Sequence, residues 1–472
     1  MRRYESLAGR IEGLIDQGVV RPGERVPSVR QASQDFGVSR NTVLQAYMML
    51  EQRGRIAPRP QSGYYVRSAG FDALPRPRMP PPPAGSTQVD ISSIIFEIWG
   101  ADTRRATVRM GSLFPAPDLL PLRQLNRLFA RYVRDVDPFI AAEVVPPGSP
   151  ELRRQIAKRY LARGYPVLPE EITITDGGLD AMNLCLSAVA KAGDTVAVSQ
   201  PCFPTQLLAL ERYGLKVVEV PVDAEYGMDL QKLADAIARH KIKAVLSMTT
   251  FQNPMGCTMP DERKRELVDL LAKHEIPLIE DDVNAELAFD GVHRKPAKAY
   301  DKQGLVLHFS SFSTWLALGH RVGWVAAGRF TPRVLALQHI SALSPSAYSQ
   351  LAVYEYLVHG PVERNLNTLR ETLRSNLHKL VDGINDHFPE HTSVTQPEGG
   401  YLLWVRLQEK IDSMALYREA LAKGISIAPG PMFCPRNGLR NYMRLNFGVL
   451  WNERADAAVR QLGTLAKKQF QR

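Results

Sequence analysis

The chain has 472 residues, 44% of them hydrophobic, and it carries a formal net charge of +10 with a sequence pI near 9.4. This length and composition predict a large buried core divided into two or more domains, and the basic balance indicates a polyanionic partner. No apolar run is long enough to span a bilayer, and the basic N-terminus leads into a polar amphipathic pattern. These features argue against a membrane span and a signal peptide and predict a cytoplasmic protein.

The four cysteines are scattered, without CxxC or Cys/His ligand spacing: Cys185, Cys202, Cys257 and Cys434. Their spacing favours buried, reduced thiols over disulfides. We therefore expect no metal site.

The N-terminal segment, residues 1–67, is strongly basic. It contains eleven arginines and six acidic residues, so it holds half of the excess positive charge. Apolar residues from Tyr4 to Ile15 recur at helical spacing and predict a first helix that ends near Gly18, before a turn at residues 21–23. Ser28 with Gln31 has the form of a capping box and predicts a second helix that stops at Gly37.

Ser39 is predicted to cap a third helix. The core face of this helix is Val43, Ala46, Tyr47 and Leu50. Residues 55–58 and 63–67 then predict a hairpin with a tip of Pro, Gln, Ser and Gly. The result is a winged helix-turn-helix.

The residues PGERVPSVRQASQDFGVSRNTVLQAYMMLEQRGRIAPRPQSGYYV closely resemble the DNA-binding domain of GntR-type regulators. In such a domain the N-terminal residues of the recognition helix enter the major groove, while arginines and wing backbone hold phosphates. The resemblance implies a set of residues that contact double-stranded promoter DNA: Arg30, Ser39, Arg40, Asn41, Thr42 and Gly63. The alternative is that the arginines only solvate a small helical domain.

Residues 68–105 are predicted to be a linker. Prolines at 75, 77 and 80–83 exclude helix and sheet there and favour an extended, polyproline-like spacer. We place the large domain at residues 106–472.

In the large domain, β-branched runs alternate with helical patterns and predict a mostly parallel sheet covered by helices on both faces. The predicted strands are residues 172–175, 195–198, 244–247, 277–280 and 322–325. From about Pro361 a long helix and strands near residues 399–404 and 442–447 predict a smaller α+β domain.

This region resembles fold-type I aminotransferases, and the whole chain resembles a MocR-type regulator, in which a GntR head is joined to an aminotransferase-like body. The resemblance rests on a helix opening at residues 176–180, Gln-Asn-Pro-Met-Gly at 252–256, Glu-Asp-Asp at 280–282, the loop at 311–321, Gly-Gly-Tyr at 399–401 and Arg-Leu-Asn at 444–446. It implies a pocket for pyridoxal phosphate.

The resemblance also implies a role for each residue of that pocket. The phosphate would be held by the helix start at Gly178 and Leu179 and by Ser311, Ser313 and Arg321. Around the ring, Asp281 would face the pyridine nitrogen, Asn253 the phenolic oxygen and Phe203 the ring face. Arg444 would hold an amino-acid carboxylate. As alternatives, Gly178 only turns the chain, Asn253 makes an Asx-turn and Phe203 is core.

Thr314 stands where active members of the family carry lysine, and a hydroxyl cannot form the imine that links cofactor to protein. Three further departures surround the same pocket: Asn284 for tyrosine, Leu318 for proline and Met255 for threonine. Together they predict that transamination is lost and that no residue of the chain is catalytic.

We therefore expect a homodimeric transcriptional regulator that senses a small-molecule effector without a covalent bond to it. The effector would be free pyridoxal phosphate, its preformed imine with an amino acid, or another phosphorylated or carboxylated metabolite. Two alternatives remain open. One is an active aminotransferase with a DNA-binding head, and the other is a ligand-independent dimeric DNA binder with a vestigial pocket.

Overall fold

A computed structural model describes residues 3–20, 24–59, 63–66, 74–83, 85–101, 108–135, 146–341, 344–436 and 438–471. The predicted turn at residues 21–23 and the wing tip at residues 60–62 lie outside these ranges. So do Arg67, the last residue predicted for the hairpin, and three parts of the predicted linker, residues 68–73, 84 and 102–105.

The head is three helices and a hairpin. The elements are α1 (Arg3–Asp16), α2 (Val29–Asp35), α3 (Arg40–Gln52), β1 (Ile56–Arg59) and β2 (Gly63–Val66), and the two strands pair antiparallel. The predicted core face of α3 is fully buried, together with Leu7 and Ile11 of α1. The predicted winged helix-turn-helix is therefore confirmed.

Ser28 and Ser39 cap α2 and α3 as predicted. The Ser28 hydroxyl accepts from the Gln31 backbone N–H, and the Ser39 hydroxyl accepts from the Thr42 N–H. The capping box at α2 is only half made, because the Gln31 side chain donates to Asp35, 2.7 Å away. A charged acceptor within the helix competes better for that amide than the backbone of Ser28.

The proline-rich stretch has no helix or strand between residues 74 and 83, as predicted, but it lies against the body. The Val394 N–H donates to the Pro75 carbonyl, and the Tyr442 hydroxyl donates to the Arg78 carbonyl. The predicted boundary at residue 105 is too late. Residues 87–88 form strand β3 of the body's sheet, and α4 (Ser92–Ala101) packs its isoleucines into the body's core.

The large sheet has nine strands within the described residues. Its order is β3 (Thr87–Gln88), β7 (Lys216–Asp223), β6 (Thr195–Gln200), β9 (Ile242–Ser247), β10 (Leu278–Asp281), β11 (Val306–Ser311), β12 (Gly323–Ala326) and β5 (Ile172–Thr175), with β8 (Gly227–Met228) paired to β7. The centre, from β7 to β11, is parallel. β12 was predicted as one more strand of a mostly parallel sheet, and it runs antiparallel to both neighbours.

Helices cover both faces of this sheet. Along β6, Val196 and Val198 face one apolar core with α7 (Gly178–Val189) and α8 (Pro204–Arg212). Ala197 faces a second core with α9 (Leu230–Arg239) and α10 (Asp261–Lys273). Side chains of a strand alternate between faces, so one strand contributes to both cores. The carboxyl ends of these strands open toward the smaller domain.

The smaller domain contains a four-stranded antiparallel sheet of β13 (Ser393–Val394), β14 (Leu402–Arg406), β17 (Tyr442–Asn446) and β16 (Ala428–Pro429). Strand β4 (Val108–Arg109) pairs with β15 (Ile425–Ser426), so the chain enters this domain after α4. The remaining helices are α5 (Leu122–Tyr132), α6 (Pro150–Ala162), α11 (Thr331–Ser341), α12 (Ala347–His359), α13 (Val362–His387), α14 (Ser413–Leu421) and α15 (Glu453–Gln471). In the part of the chain that the structure describes, no helix is both long and apolar enough to cross a bilayer.

Candidate functional site

A cavity of about 290 Å³ lies where β10, β11, α7 and the smaller domain meet. It is lined by all eight residues predicted to bind a cofactor: Gly178, Leu179, Phe203, Asn253, Asp281, Ser311, Ser313 and Arg321. The topology explains this convergence. Carboxyl ends of parallel strands meet at one edge of the sheet, where helix N-termini also begin. The roles of these residues toward a ligand stay predictions.

One end of the cavity gathers hydrogen-bond donors. The Arg321 guanidinium donates to the Ser313 hydroxyl at 3.4 Å and to the Asp176 carbonyl at 3.2 Å, and the Ser311 hydroxyl lies 3.0 Å from that of Ser313. Helix α7 begins beside them at Gly178. The first N–H groups of a helix have no partner within it, and they carry a partial positive charge. An anion can be held here by hydroxyl, guanidinium and backbone donors together.

Glycine at position 177 is required by this arrangement. Its φ of +85° lies in the left-handed region, and a Cβ there would stand 2.6 Å from Nη2 of Arg321. Arg321 itself has a φ of 53°, which directs the chain back from the loop into β12. The anion-binding end therefore depends on two unusual backbone conformations that face each other.

Asp281 ends β10 and is almost fully buried. Gln206 donates to its carboxylate at 3.1 Å and the Val283 N–H at 3.3 Å. Burial, opposed by these two hydrogen bonds, raises the pKa of Asp281 to about 7. A buried carboxylate of this kind is stabilised by a cationic group placed in the cavity, such as a protonated ring nitrogen.

Thr314 lines the cavity, and its hydroxyl donates to the Val283 carbonyl at 2.6 Å. Next to it, the Asn284 amide donates to the Phe251 carbonyl at 3.0 Å. Both side chains are thus held by backbone carbonyls. Among the described residues that line the cavity there is no lysine.

Two lysines elsewhere in the body, the buried Lys264 and the partly buried Lys298, have their own partners. The amine of Lys264 donates to the Lys295 carbonyl, and that of Lys298 donates to the Val306 carbonyl. Burial lowers the pKa of both amines. Neither lines the cavity.

Arg444 is placed differently from the cofactor residues. It is fully buried, outside the cavity lining, and it donates to the carbonyls of Gly111 and Ser112 at 2.6 and 2.8 Å and to Asn253 at 3.2 Å. In this arrangement Arg444 ties the segment before α5 to the pocket residue Asn253. Its predicted role in holding a carboxylate stays a prediction.

The sequence did not predict a residue that lines the cavity, Trp99, or a residue that binds Asp281, Gln206. Trp99 lines the cavity from α4, which was assigned to the linker, although the spacing of Ile91, Ile95 and Ile98 is helical. Gln206, which holds Asp281, follows the predicted ring-stacking residue by one helical turn.

A buried ionic cluster supports the cavity from behind. Arg163 donates to Asp282 at 2.8 Å and to Glu286 at 3.0 Å, and His308 lies 3.1 Å from Asp282. Burial opposes ionisation of Asp282, but the hydrogen bond from His308 and the charge of Arg163 hold its pKa below the usual range. The segment that carries Asp281 and Asn284 is thereby fixed to α6.

On the head, the side chains of Arg30, Arg40 and Asn41 are exposed. Ser39 and Thr42 share a hydrogen bond of 2.8 Å at the start of α3, so their hydroxyls are occupied in capping. Gly63, with a φ of +99°, lies under the Arg25 guanidinium, which a Cβ would approach to 3.1 Å. The structure thus brings five of the six predicted DNA contacts to α2 and α3 and places the sixth in the wing.

The fold and the cavity define a class of protein with a winged helix-turn-helix head and an aminotransferase-type body. Comparisons with known proteins agree with both halves. Residues 3–66 match the bacterial regulatory proteins of the gntR family, and residues 142–462 match aminotransferase class I and II.

Two relatives extend over essentially the whole chain. The uncharacterized HTH-type transcriptional regulator YdcR of Escherichia coli strain K12 is 40% identical over 471 residues, which cover 100% of each chain. The uncharacterized HTH-type transcriptional regulator YjiR of the same strain is 35% identical, with 98% of each chain covered. Among solved structures, the kynurenine aminotransferase of Pyrococcus horikoshii superimposes with a TM-score of 0.74 at 25% identity, covering 81% of this chain and 96% of that one.

The chain therefore belongs to the aminotransferase class I and II family and, with its gntR-family head, to the MocR-like regulators that combine the two.

Proposed function

We propose that this chain is a DNA-binding transcriptional regulator whose aminotransferase-type body binds a phosphorylated small molecule without a covalent bond. One observation carries the proposal. In the cavity, the anion-binding donors Ser311, Ser313 and Arg321 are all in place, whereas Thr314 occupies the position expected for lysine and is held by the Val283 carbonyl. Regulatory relatives of similar length support the DNA-binding half.

The head supplies the DNA-binding surface. Arg40 and Asn41, in the first turn of α3, are positioned for base edges in the major groove, while Arg30 and the wing at Gly63 are positioned for phosphates. Two heads on a homodimer would read two half-sites. The two-fold body would set their separation.

The residues around the cavity fit pyridoxal phosphate. The phosphate would be held by Ser311, Ser313 and Arg321 with the start of α7, and the ring nitrogen would meet Asp281, whose buried carboxylate favours a cationic partner. Bound there, the cofactor would supply an electron-accepting ring and an aldehyde. The chain's residues would orient the ring and shield it from water, but Thr314 offers no amine to the aldehyde.

Such a ligand regulates DNA binding only if it favours one arrangement of heads and body over another, because equal affinity for both shifts nothing. Helix α13 provides a physical connection between the cavity and the DNA-binding head. Its Arg370 donates to the Glu286 carbonyl behind the cavity at 2.8 Å, and its His378 lies against Gly54 at the end of α3.

Retardation of promoter DNA by the full chain tests the DNA-binding half. We expect specific binding that weakens as salt rises, and a loss of affinity on combining Arg40→Gln with Asn41→Ala of about tenfold or more, since each good base contact contributes about 1–3 kcal/mol. Arg239→Gln, on the exposed end of α9, is the matched control. No specific retardation of any promoter fragment at moderate salt would contradict the proposal.

An active aminotransferase with a DNA-binding head is the second candidate, and it is favoured by the body's likeness to aminotransferases. Aromatic-amino-acid aminotransferase 1 of Thermococcus litoralis is 28% identical over 369 residues, which cover 76% of this chain and 87% of that one. The two candidates differ in whether the protein forms a covalent bond to the cofactor.

A further inference from the structure

We propose that the arginines exposed along α5 form a second DNA-contacting surface, on the body, which binds phosphates of the duplex outside the site read by the head. The surface, called here the arginine stripe, consists of Arg123, Arg127, Arg131 and Arg134. The inference rests on the proposed function, because the head must bring the duplex to the molecule. It goes beyond that function in giving the body a direct part in DNA binding.

The spacing places the stripe on one side of the helix. Arg123, Arg127 and Arg131 follow one another at intervals of four residues, and Arg134 continues the series in the helical turn after α5. Successive arginines lie about 6 Å apart along the axis, and each DNA strand carries one phosphate per about 3.4 Å of its own axis. Long, flexible guanidinium side chains at this spacing can reach successive phosphates of one strand.

The opposite side of α5 is fixed to the body. Leu125 is fully buried, and Leu122, Leu128 and Phe129 pack against the main core. The ring of Phe129 contacts that of Tyr348 on α12 with centroids 6.5 Å apart. The arginines are exposed because the apolar side of the helix is fully used.

The charge of the stripe is not neutralised within the described residues. The sequence from Leu122 to Arg134 contains no acidic residue, and among the side chains that the structure describes, which do not include Asp135, none forms an ion pair with the four arginines. Their recorded contacts are local: Arg127 donates to the Arg123 carbonyl, and Arg131 lies over the Tyr132 ring. Like charges four residues apart destabilise a helix, so an anionic partner would relieve a repulsion that the fold itself leaves in place.

The surroundings extend the positive surface. Helix α13 begins beside α5, where Asn365 donates to Gln124 at 2.6 Å, and its exposed Arg364 adds a fifth positive charge. The neighbouring Glu363 is paired with Arg159 at 3.5 Å. Acidic residues occur on either side of the stripe in sequence, at Asp118 and Asp135, but not within it.

Duplex DNA is the polyanion that fits this surface best. A duplex bound by the head is tethered to the same molecule, so its flanks are present at a high effective concentration. Phosphate contacts of this kind carry no sequence information, and they add affinity that is sensitive to salt. An acidic face on a second copy of this chain is the competing occupant, and the experiment below distinguishes it.

The test compares the full chain with a variant that neutralises the stripe: Arg123→Gln, Arg127→Gln, Arg131→Gln and Arg134→Gln. The matched control removes four exposed positive charges around α9 and α10: Lys232→Gln, Arg239→Gln, Lys241→Gln and Lys273→Gln. Fluorescence anisotropy measures binding to random-sequence duplexes of about 20 and about 60 base pairs over a salt series, because each phosphate contact contributes about 0.9 to the slope of log K against log salt.

On the long duplex, we expect the stripe variant to lose about 3 to 4 units of that slope, while the control keeps the wild-type slope. On the short duplex, which is filled by the heads, the stripe variant and wild type should differ little. Light scattering should show the same oligomeric state for all three proteins.

If the stripe variant binds the long duplex with the same slope and affinity as the wild-type protein, the inference is wrong. A changed oligomeric state with an unchanged slope would also overturn it, because the stripe would then be a contact between copies. Failure of the wild-type protein to bind either duplex would instead contradict the proposed function. Arg30→Gln separates the two, since Arg30 is assigned to phosphates and its loss should weaken binding to both duplexes.

Discussion

The two ends of the cavity differ in what they offer a ligand. At one end, Ser311, Ser313 and Arg321 lie beside the start of α7 and hydrogen-bond to one another, and Ser311 and Arg321 donate to backbone carbonyls as well. At the other, the hydroxyl of Thr314 and the amide of Asn284 are turned to backbone carbonyls. The anion-binding end depends on backbone conformation and on several residues, whereas a covalent attachment depends on a single amine. Covalent attachment can therefore be absent while anion binding persists.

The buried ionic cluster holds both ends of the cavity in one rigid frame. Arg163→Leu would leave Asp282 and Glu286 buried without their cationic partner, and it should lower the free energy of unfolding by about 3–5 kcal/mol. Chemical denaturation measures the change. Arg154→Leu is the control, because its pair with Glu151 is exposed and should contribute about 0–1 kcal/mol. Equal effects of the two changes would show that the cluster does not hold the frame.

Removal of the guanidinium from the anion-binding end should affect ligand affinity. Arg321→Ala removes a charged donor, and the dissociation constant for pyridoxal phosphate should rise about tenfold to hundredfold in calorimetric titration. Arg333→Ala, an exposed arginine in the first turn of α11, should leave the constant unchanged. If Arg321→Ala binds as wild type does, the phosphate is held elsewhere.

Asp281 makes the stability of the ligand-free protein depend on pH. Burial raises its folded-state pKa to about 7 from an ordinary value of 3.8, so the folded protein holds a proton that the unfolded chain releases. The stability associated with that proton is present at low pH and is lost as the pH rises through about 7. Asp281→Asn stays neutral, so its free energy of unfolding should increase relative to wild type between about pH 5 and about pH 8.

The same change at the exposed Asp269 is the control, and it should reproduce the pH dependence of wild type. If the difference between Asp281→Asn and wild type is the same at both ends of the pH range, the carboxylate is not held protonated by burial.

Local patterns predicted much of this fold, but not all of it. Strands 172–175, 195–200, 242–247 and 278–281 follow from apolar β-branched runs, and the head follows from caps and spacing. Strand β7 has four valines, but Glu219 and Pro221 interrupt the run, and the strand was not predicted; both neighbours supply its ladder partners. Helix α4 was hidden by the preceding prolines. A helix of ten residues is marginal in isolation, and packing of its isoleucines in the body's core stabilises it.

For the site, the sequence predicted residues that line the cavity but not all of their hydrogen bonds. Resemblance to a family named eight of the residues that line the cavity, which lie far apart in sequence, and the sheet edge brings them together. The hydrogen bond from Thr314 to Val283 could not be predicted, because its acceptor is a backbone carbonyl whose position depends on the turn after β10. The sheltered position of Arg444 likewise depends on the carbonyls of Gly111 and Ser112.

The central claim is that the cavity binds its ligand without covalent attachment. Borohydride treatment of the full chain with pyridoxal phosphate, followed by mass measurement of the intact protein and of its peptides, tests that claim most directly. Wild type should show no added mass on any cavity residue, whereas Thr314→Lys should gain one cofactor mass on the peptide that contains position 314. Thr314→Arg is the matched control, positively charged but without a primary amine. A stoichiometric adduct on a cavity peptide of the wild-type protein would contradict the account.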